Sequence, residues 1–502
     1  MTLASLLPLF VAIPLTVAGI TAAAPARANW ARVLLMVTLS LQLVASIALV
    51  WHLRDGSVLA HQVSGWAPGI AIPFVADLLS ALMLVVTSLL AVTCSAFAIA
   101  STTGNVRLYA PLTAGLVAGV NGALLTGDIF NMFVFIEVML LPSYGLLILA
   151  KRGQGTLASH AGSRLYVPFN LFVSTLFLSG VALVYGVAGT VNLAELAGTA
   201  KEDTLVAAGA GLALAALCMK AAVIPTHGWL ARAYPSTSPA ITALFSGLHT
   251  KVAIYAIYRI YAVMFDGDQR YLWIGLVFFT LTMIIGVLGA VGEDTTRSIL
   301  AFHMVSQIGY ILLGVALFTP VGLAAGIFYL LHHMIVKASL FLSTGAIEEH
   351  YGTNKLQELQ ARIRREPLIA LSFIIAALSL AGLPPFSGFV AKLTLIVATV
   401  EEGHLWVAVA ALAVSLITLM SMLKIWNAVF VSHRSDEEYP PSERIKVARR
   451  THVPVALVIP GAVLAAITLG LGLGGELLYN LAAVAAQGLM DTSGYVEAVL
   501  GS

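Results

Sequence analysis

The chain has 502 residues, 59% of them hydrophobic and only 10% charged, with a formal net charge of +2. Soluble chains carry about 25% charged residues, so a soluble globular protein is excluded, and so small a net charge gives no reason to expect a nucleic-acid partner. Mean hydropathy is +0.95, and apolar runs of about 20 residues, enough to cross a hydrocarbon core of about 30 Å, recur from end to end.

The fold class is therefore an all-α polytopic membrane protein. In chain order the runs predict spans near 3–22, 33–52, 74–100, 108–126, 128–150, 165–187, 205–230, 239–264, 273–291, 299–318, 321–347, 366–400, 405–430 and 453–475, about 14 transmembrane helices. The first, "MTLASLLPLFVAIPLTVAGITAAAPARA", has the apolar centre and A-x-A ending of a signal peptide but no basic n-region, so it reads as a span. Cys94 and Cys218 fall inside apolar runs and read as buried thiols rather than a disulfide. With the N-terminus outside, the inner loops hold Arg27, Arg32, Arg107, Lys151, Arg152, Arg164, Arg232, Arg297, Lys355, Arg362, Arg364, Arg365, Arg434, Arg444, Lys446, Arg449 and Arg450. The outer loops hold only Arg54, Lys201 and Arg270. Basic residues collect on the cytoplasmic side, so both termini are expected outside. The longest polar stretch, 431–452, carries both signs of charge and reads as a solvated connector or partner surface. "GVLGAVGED" (286–294) ends a span and follows no strand, so its glycines read as small-residue packing or a cap, not a nucleotide site. The absence of C-x-x-C gives no sign of an Fe–S or haem attachment.

One acid lies deep. Glu137 in "GDIFNMFVFIEVMLLPSYGLL" (127–147) sits about 14 Å along its helix at 1.5 Å per residue. An ionised carboxylate there costs about 2.5–3.5 kcal/mol on insertion scales. Lys220, Lys251, Lys337 and Lys392 fall well inside four other spans. Glu137 can pair with only one or two of them, so the others must be neutral part of the time or hydrated. Static ion pairs are one reading of each residue alone; the set on separate helices points to proton or ion conduction through a shared polar interior. Arg259 and Lys424, near span ends, read as snorkelling. Asp128 reads as a helix cap, and Asp77 as either a cap or an ion partner.

Two lysine-bearing spans are interrupted. "CMKAAVIPTHGWL" places Pro225 five residues after Lys220, and proline cannot donate to the carbonyl of Ala221. "SLAGLPPFSGFVAKL" sets Gly382, Pro384, Pro385 and Gly388 ahead of Lys392. A proline kink alone is common in membrane helices, but interrupted spans at corresponding places in two halves mark transporters. In "LLHHMIVKASL" His333 and Lys337 share a helix face, with His332 about 100° away. His333 and Lys337 are expected to form a relay, since a conducting chain needs groups that titrate near neutrality. His249 and Lys251 face different ways, with Ser246 and Thr250 placed to support a water chain. Ser306 and Gln307 cannot titrate and are expected to orient water. His227 and His303 read as satisfied core residues.

These motifs, with "MKAAVIPTHGWLARAYPSTSPAITALFSGLHTK" and "HMVSQIGYILLG", together resemble the antiporter-like subunits shared by respiratory complex I and Mrp-type cation/proton antiporters. They run from about 127 to 394, and the span layout extends the resemblance over nearly the whole chain. The glutamate span is most similar to that of D-type Mrp subunits. The complex I subunit called M has a glutamate where this chain has Lys392, and the A-type and L-type subunits are longer. The N-type subunit has the right size but a different fifth span.

The resemblance implies two inverted five-helix repeats, spans 4–8 and 9–13, each with a broken helix. The chain then divides into 1–107 (three helices), 108–264, 265–430, and 431–502 (a cytoplasmic loop and the last span). It implies that Glu137 pairs with Lys220, that Lys251 links toward His332, His333 and Lys337, and that Lys392 ends the path. Where the first repeat has Glu137 the second offers only Ser306 and Gln307, so the halves are not expected to do the same job. The implied function is a proton-translocating subunit of a multisubunit Na⁺/H⁺ antiporter in a bacterial inner membrane, a transporter part rather than an enzyme. Its expected partners are other antiporter subunits and membrane lipids, with no nucleic acid, no nucleotide and no cofactor beyond the transported ions. A Na⁺ path is expected elsewhere in the complex, because hard cations favour oxygen ligands and this chain has one deep carboxylate; metal ligands stay unassigned. Two alternatives remain open: a proton-pumping subunit of a complex I-like or membrane-bound hydrogenase complex, and a structural docking subunit without a path of its own.

Overall fold

Apolar runs without charged interruptions become helices because only a helix satisfies its own backbone inside a bilayer. In the computed structural model, which describes residues 2–25, 29–67, 70–101, 103–149, 158–359, 366–431, 443–448 and 450–501, they do so throughout. The chain opens with α1 (Leu9–Ala22) and α2 (Asn29–Leu53), then an antiparallel hairpin of β1 (Leu59–Gln62) and β2 (Pro73–Ala76). Then come α3 (Leu78–Ala100), α4 (Tyr109–Leu125), α5 (Ile129–Ile148), α6 (Ala158–Ala188), α7 (Thr204–Lys220), the short α8 (Gly228–Ala233) and α9 (Pro239–Phe265). The second half holds α10 (Leu272–Gly292), α11 (Thr296–Leu317), α12 (Pro320–Tyr351), α13 (Pro367–Ala381), α14 (Ser387–Glu401) and α15 (Leu405–Trp426). It closes with α16 (Val455–Leu473), α17 (Gly475–Met490) and α18 (Ser493–Leu500).

Among the described residues, eleven helices are long and apolar enough to cross a membrane, and α4, α7 and α13 are shorter apolar helices. The protein is a multi-pass helical membrane protein, as its composition requires. The connector expected over 431–452 lies largely outside the described residues, as do Arg27, Lys151, Arg152, Arg362, Arg364, Arg365, Arg434 and Arg449. The hairpin and the two C-terminal helices were not read from the sequence. The strands are only four residues each, and α17 and α18 follow the last apolar run as half-exposed amphipathic segments.

Of the helices that carry the deep ionisable residues, α9 and α12 are surrounded by other helices, whereas α5, α7 and α14 each keep an exposed face. Every residue in the most apolar stretch of α9 and of α12 is buried, and nearly every one in α11. By contrast, α2 presents Leu41, Val44 and Trp51 outward. Of the glycines of 286–294, expected to serve packing or a cap, Gly286 and Gly289 serve packing. A Cβ on Gly286 would fall 2.4 Å from the Ser306 nitrogen, and one on Gly289 2.3 Å from the Phe302 ring, so α10 and α11 touch closely there.

The end charges are settled by their partners. Asp128 caps α5, accepting from the Asn131 amide at 2.7 Å. Asp77 is both things the sequence left open. It caps α3 in a reciprocal box with Ser80, and its other oxygen meets the Arg259 guanidinium at 2.5 Å. Arg259 therefore does not snorkel: it is 2% exposed, with the rings of Tyr495 and Tyr255 at 5.0 and 5.5 Å. Periodicity placed Arg259 near a span end but could not show that α3 supplies a buried counter-charge. Lys424 does reach a span end, donating to the Glu293 and Val291 carbonyls at 2.7 and 3.1 Å.

Candidate functional site

The first break is built by the sequence at Lys220. Helix α7 ends on that residue; Ala222 takes a positive φ of 65°, and Pro225 brings no N–H. The amide of Val223 reaches back to the Cys218 carbonyl at 3.0 Å, and the Trp229 indole N–H donates to the Met219 carbonyl at 3.1 Å. The break thus has its carbonyls partly satisfied from within, and α8 resumes at Gly228. The second break follows the same logic. Helix α13 ends at Ala381, Gly382 has φ of 87°, and the Leu383 amide closes on the Leu378 carbonyl at 3.1 Å. Lys392, on α14, then donates back to the carbonyl of Ala381 at 3.1 Å. The negative end of a helix is a favourable place for an ammonium.

The buried polar residues fall into two groups on either side of α9. On one side is Glu137 on α5, half-buried, with Oε1 buried and without a hydrogen-bond partner. The charges of Glu137 and Lys220 act on one another, but the two make no ion pair within 4.0 Å among the described residues. Instead Lys220 Nζ donates to Asn170 Oδ1 on α6 at 3.2 Å. Tyr144, two turns beyond Glu137 on the same face, also feels its charge. Asn170 donates in turn to the Tyr166 carbonyl at 2.9 Å, and the Tyr166 hydroxyl lies 2.6 Å from His249 Nδ1 on α9.

Lys251 faces the other way. It donates to Thr250 at 3.1 Å, and its charge acts on His333 and Lys337 of α12. Ser246 instead bonds the Ala243 carbonyl at 2.8 Å. Lys337 donates to the Leu300 carbonyl of α11 at 3.0 Å. Both ring nitrogens of His333 are buried without hydrogen-bond partners. His332 turns toward the second break, as the 100° step between neighbours requires: its Nδ1 lies 2.7 Å from Ser387 Oγ, at the start of α14. Lys392 acts electrostatically on His332 and lies 4.9 Å over the Tyr310 ring. All of these groups except Glu137 and Tyr144 are buried among the helices, the arrangement intramembrane ionisable groups need.

Sequence reading missed several members. His303, expected as a satisfied core residue, bonds Ser421 at 2.9 Å, keeps Nδ1 unpartnered, and feels the charges of Lys337 and Lys392. Asn170 and Tyr166 lie in no quoted motif, and Ser143 and Ser387 lie inside quoted motifs without being singled out; only a polar residue inside an apolar run could have flagged them. Ser306 and Gln307 are held by protein groups, the Met283 carbonyl at 2.9 Å and the Tyr329 hydroxyl respectively.

Residues 126–418 match the family described as NADH:quinone oxidoreductase/Mrp antiporter, TM. The chain is 37% identical, over 91% of its length and 92% of the other's, to a protein of Alkalihalophilus pseudofirmus that is named as the D-type subunit of a Na⁺/H⁺ antiporter. Its fold superimposes on a chain in the structure of the Mrp complex from Dietzia sp. DQ12-45-1b with a TM-score of 0.94 and 55% identity, covering 100% of both chains. A chain of the membrane-bound sulfane sulfur reductase, an archaeal respiratory membrane complex, gives 0.86 and 27% over 99% of both.

Proposed function

Because the chain belongs to the NADH:quinone oxidoreductase/Mrp antiporter family, we propose that it is the D-type, proton-translocating subunit of a multisubunit Na⁺/H⁺ antiporter in a bacterial cell membrane. The observation that carries the reading is the row of buried amines and imidazoles on α7, α9, α12 and α14, with one carboxylate, Glu137, beyond its first member. A structural scaffold has no use for four buried lysines of which none has a carboxylate within 4.0 Å among the described residues. A proton path does, because burial brings amines to the point where they can take and release protons.

In this reading Glu137 and Lys220 form a switch. When the ionised carboxylate swings close, Lys220 holds its proton more tightly; when it withdraws, Lys220 releases it. The separation seen here, with Lys220 on Asn170, fits the withdrawn arm of that cycle. Lys251, His332, His333, Lys337 and Lys392 carry the proton onward. Protons enter from outside and Na⁺ leaves the cell, with both chain termini outside. Two inverted repeats around α7 and α13 would place the two breaks at corresponding depths. The Na⁺ route lies with partner subunits.

The test is Na⁺-induced collapse of a respiratory ΔpH in everted vesicles carrying the whole complex, comparing wild type with Glu137→Gln and checking assembly on native gels. Lost exchange with intact assembly is expected. Unchanged exchange would sink the switch, and lost assembly would favour a docking role. The likeness to a chain of the sulfane sulfur reductase supports a second reading, a proton pump driven by redox partners. Co-purification of flavin or Fe–S subunits would favour it.

A further inference from the structure

His249 takes no part in the path described so far, yet it lies on α9, two residues before Lys251, and feels the charge of Lys220. Its surroundings settle which of its nitrogens carries hydrogen. The Ser143 hydroxyl donates to the Leu140 carbonyl at 2.6 Å, and a carbonyl can only accept. Ser143 has no second hydrogen, so at its 3.1 Å contact with the Tyr166 hydroxyl it must accept. Tyr166 therefore spends its hydrogen on Ser143 and must accept at its 2.6 Å contact with His249 Nδ1. The neutral ring is then the Nδ1–H tautomer. Its Nε2 carries a bare lone pair, buried and without a hydrogen-bond partner.

Asn170 and Tyr166 are four residues apart on α6 and so share a face. Asn170 holds Lys220 Nζ at 3.2 Å while Tyr166 holds His249, and the Lys220 charge acts on the ring. The ring cannot swing away freely, since Phe245 stacks on it at 4.3 Å.

Resting on the proton-translocation reading, we propose that His249 Nε2 is the proton acceptor for Lys220, and that Ser143 and Tyr166 are positioning residues that keep this nitrogen open by fixing the tautomer. In the step, Lys220 Nζ turns from Asn170 Oδ1 to Nε2, with which it makes no hydrogen bond in the geometry seen here; an N–H bond of the ammonium breaks and one forms at Nε2. The amine becomes neutral and the positive charge moves to the imidazolium, whose Nδ1–H stays on Tyr166. The proton is then on α9, the helix that carries Lys251.

The test uses the whole complex in everted vesicles. His249→Gln should lower Na⁺-driven proton exchange about 100-fold, the low end of what a placed proton-transfer group contributes. Ser143→Ala contacts neither His249 nor Lys220. It should still slow exchange, because Tyr166 then turns its hydrogen onto Nδ1 and drives the ring's own hydrogen to Nε2; Ser143→Thr should restore the wild-type rate. Nitrogen-15 spectra of histidine-labelled complex, assigned by subtracting His249→Asn, should show the Nδ1–H tautomer in wild type and Nε2–H in Ser143→Ala. A wild-type rate in His249→Gln with Lys220→Ala inactive would overturn the assignment alone, as would an Nε2–H tautomer in wild type. A wild-type rate in Lys220→Ala would overturn the conduction reading as well.

Discussion

Lys220 and Asn170 are joined by a hydrogen bond of 3.2 Å between the last residue of α7 and the middle of α6. The amide is a neutral partner: it steadies the ammonium without adding a charge. A carboxylate at the same place would hold the protonated lysine far more tightly, since charge-assisted bonds are about twice as strong as neutral ones. Asn170→Asp should therefore slow exchange at neutral pH by about tenfold for each 1.36 kcal/mol of added attraction. Release then needs fewer protons in solution, so the rate optimum should move to higher pH. Rates in everted vesicles measured across pH would show this; an unshifted optimum would mean that Asn170 does not govern Lys220.

The second break is held by contact. Gly388 on α14 approaches α13 so closely that an added Cβ would lie 1.7 Å from the Ser379 carbonyl and 3.1 Å from His332 Nε2. Overpacking of a close-packed site costs about 1–3 kcal/mol. Gly388→Ala should force α14 off α13, pull Ser387 from His332 and lower exchange at least as severely as assembly. Gly211→Ala is the control, because an added methyl there meets nothing within 4 Å. Native-gel assembly and exchange rates of the two variants, measured side by side, decide the matter.

The proposed orientation is open to labelling. Ser57, after α2, and Asn105, before α4, are both exposed and lie on opposite sides if both termini are outside. In right-side-out spheroplasts a membrane-impermeant maleimide should modify Ser57→Cys, and Asn105→Cys only after permeabilisation. The native Cys94 is buried and should stay silent, and the half-buried Cys218 is replaced by Ser in both variants. The reverse pattern would invert the direction of every half-path.

Much of this was legible in the residues. Spans were readable because each needs a long apolar run, and the deep ionisable residues stood out because each interrupts one. Breaks at Lys220 and before Lys392 were readable because proline and glycine act on their own backbone. Partners were not. Asn170 meets Lys220 across fifty positions, and Tyr166 meets His249 across eighty-three, so no local pattern joins them. His303 looked like a core residue because a lone histidine in an apolar run usually is one; its polar contact, Ser421, comes from α15. Arg259 was misjudged for the same reason.

That last pair carries a prediction about stability rather than transport. Asp77 and Arg259 are buried together at the α3–α9 contact, and the Tyr495 ring brings the C-terminal helix α18 against them. Gln62 fastens α18 again, donating to the Val499 carbonyl at 2.7 Å. Removing one member of a buried ion pair leaves the other charge uncompensated, at about 3–5 kcal/mol. Asp77→Asn or Arg259→Leu alone should therefore lower the melting temperature of the purified complex or its yield. Replacing both with apolar residues should recover most of the loss, because well-packed hydrophobic substitutes for a buried pair are often neutral. The exchange rate per assembled complex should stay near wild type in the double variant. If instead the double variant is stable but cannot exchange, the pair belongs to the proton path and not to the scaffold beside it.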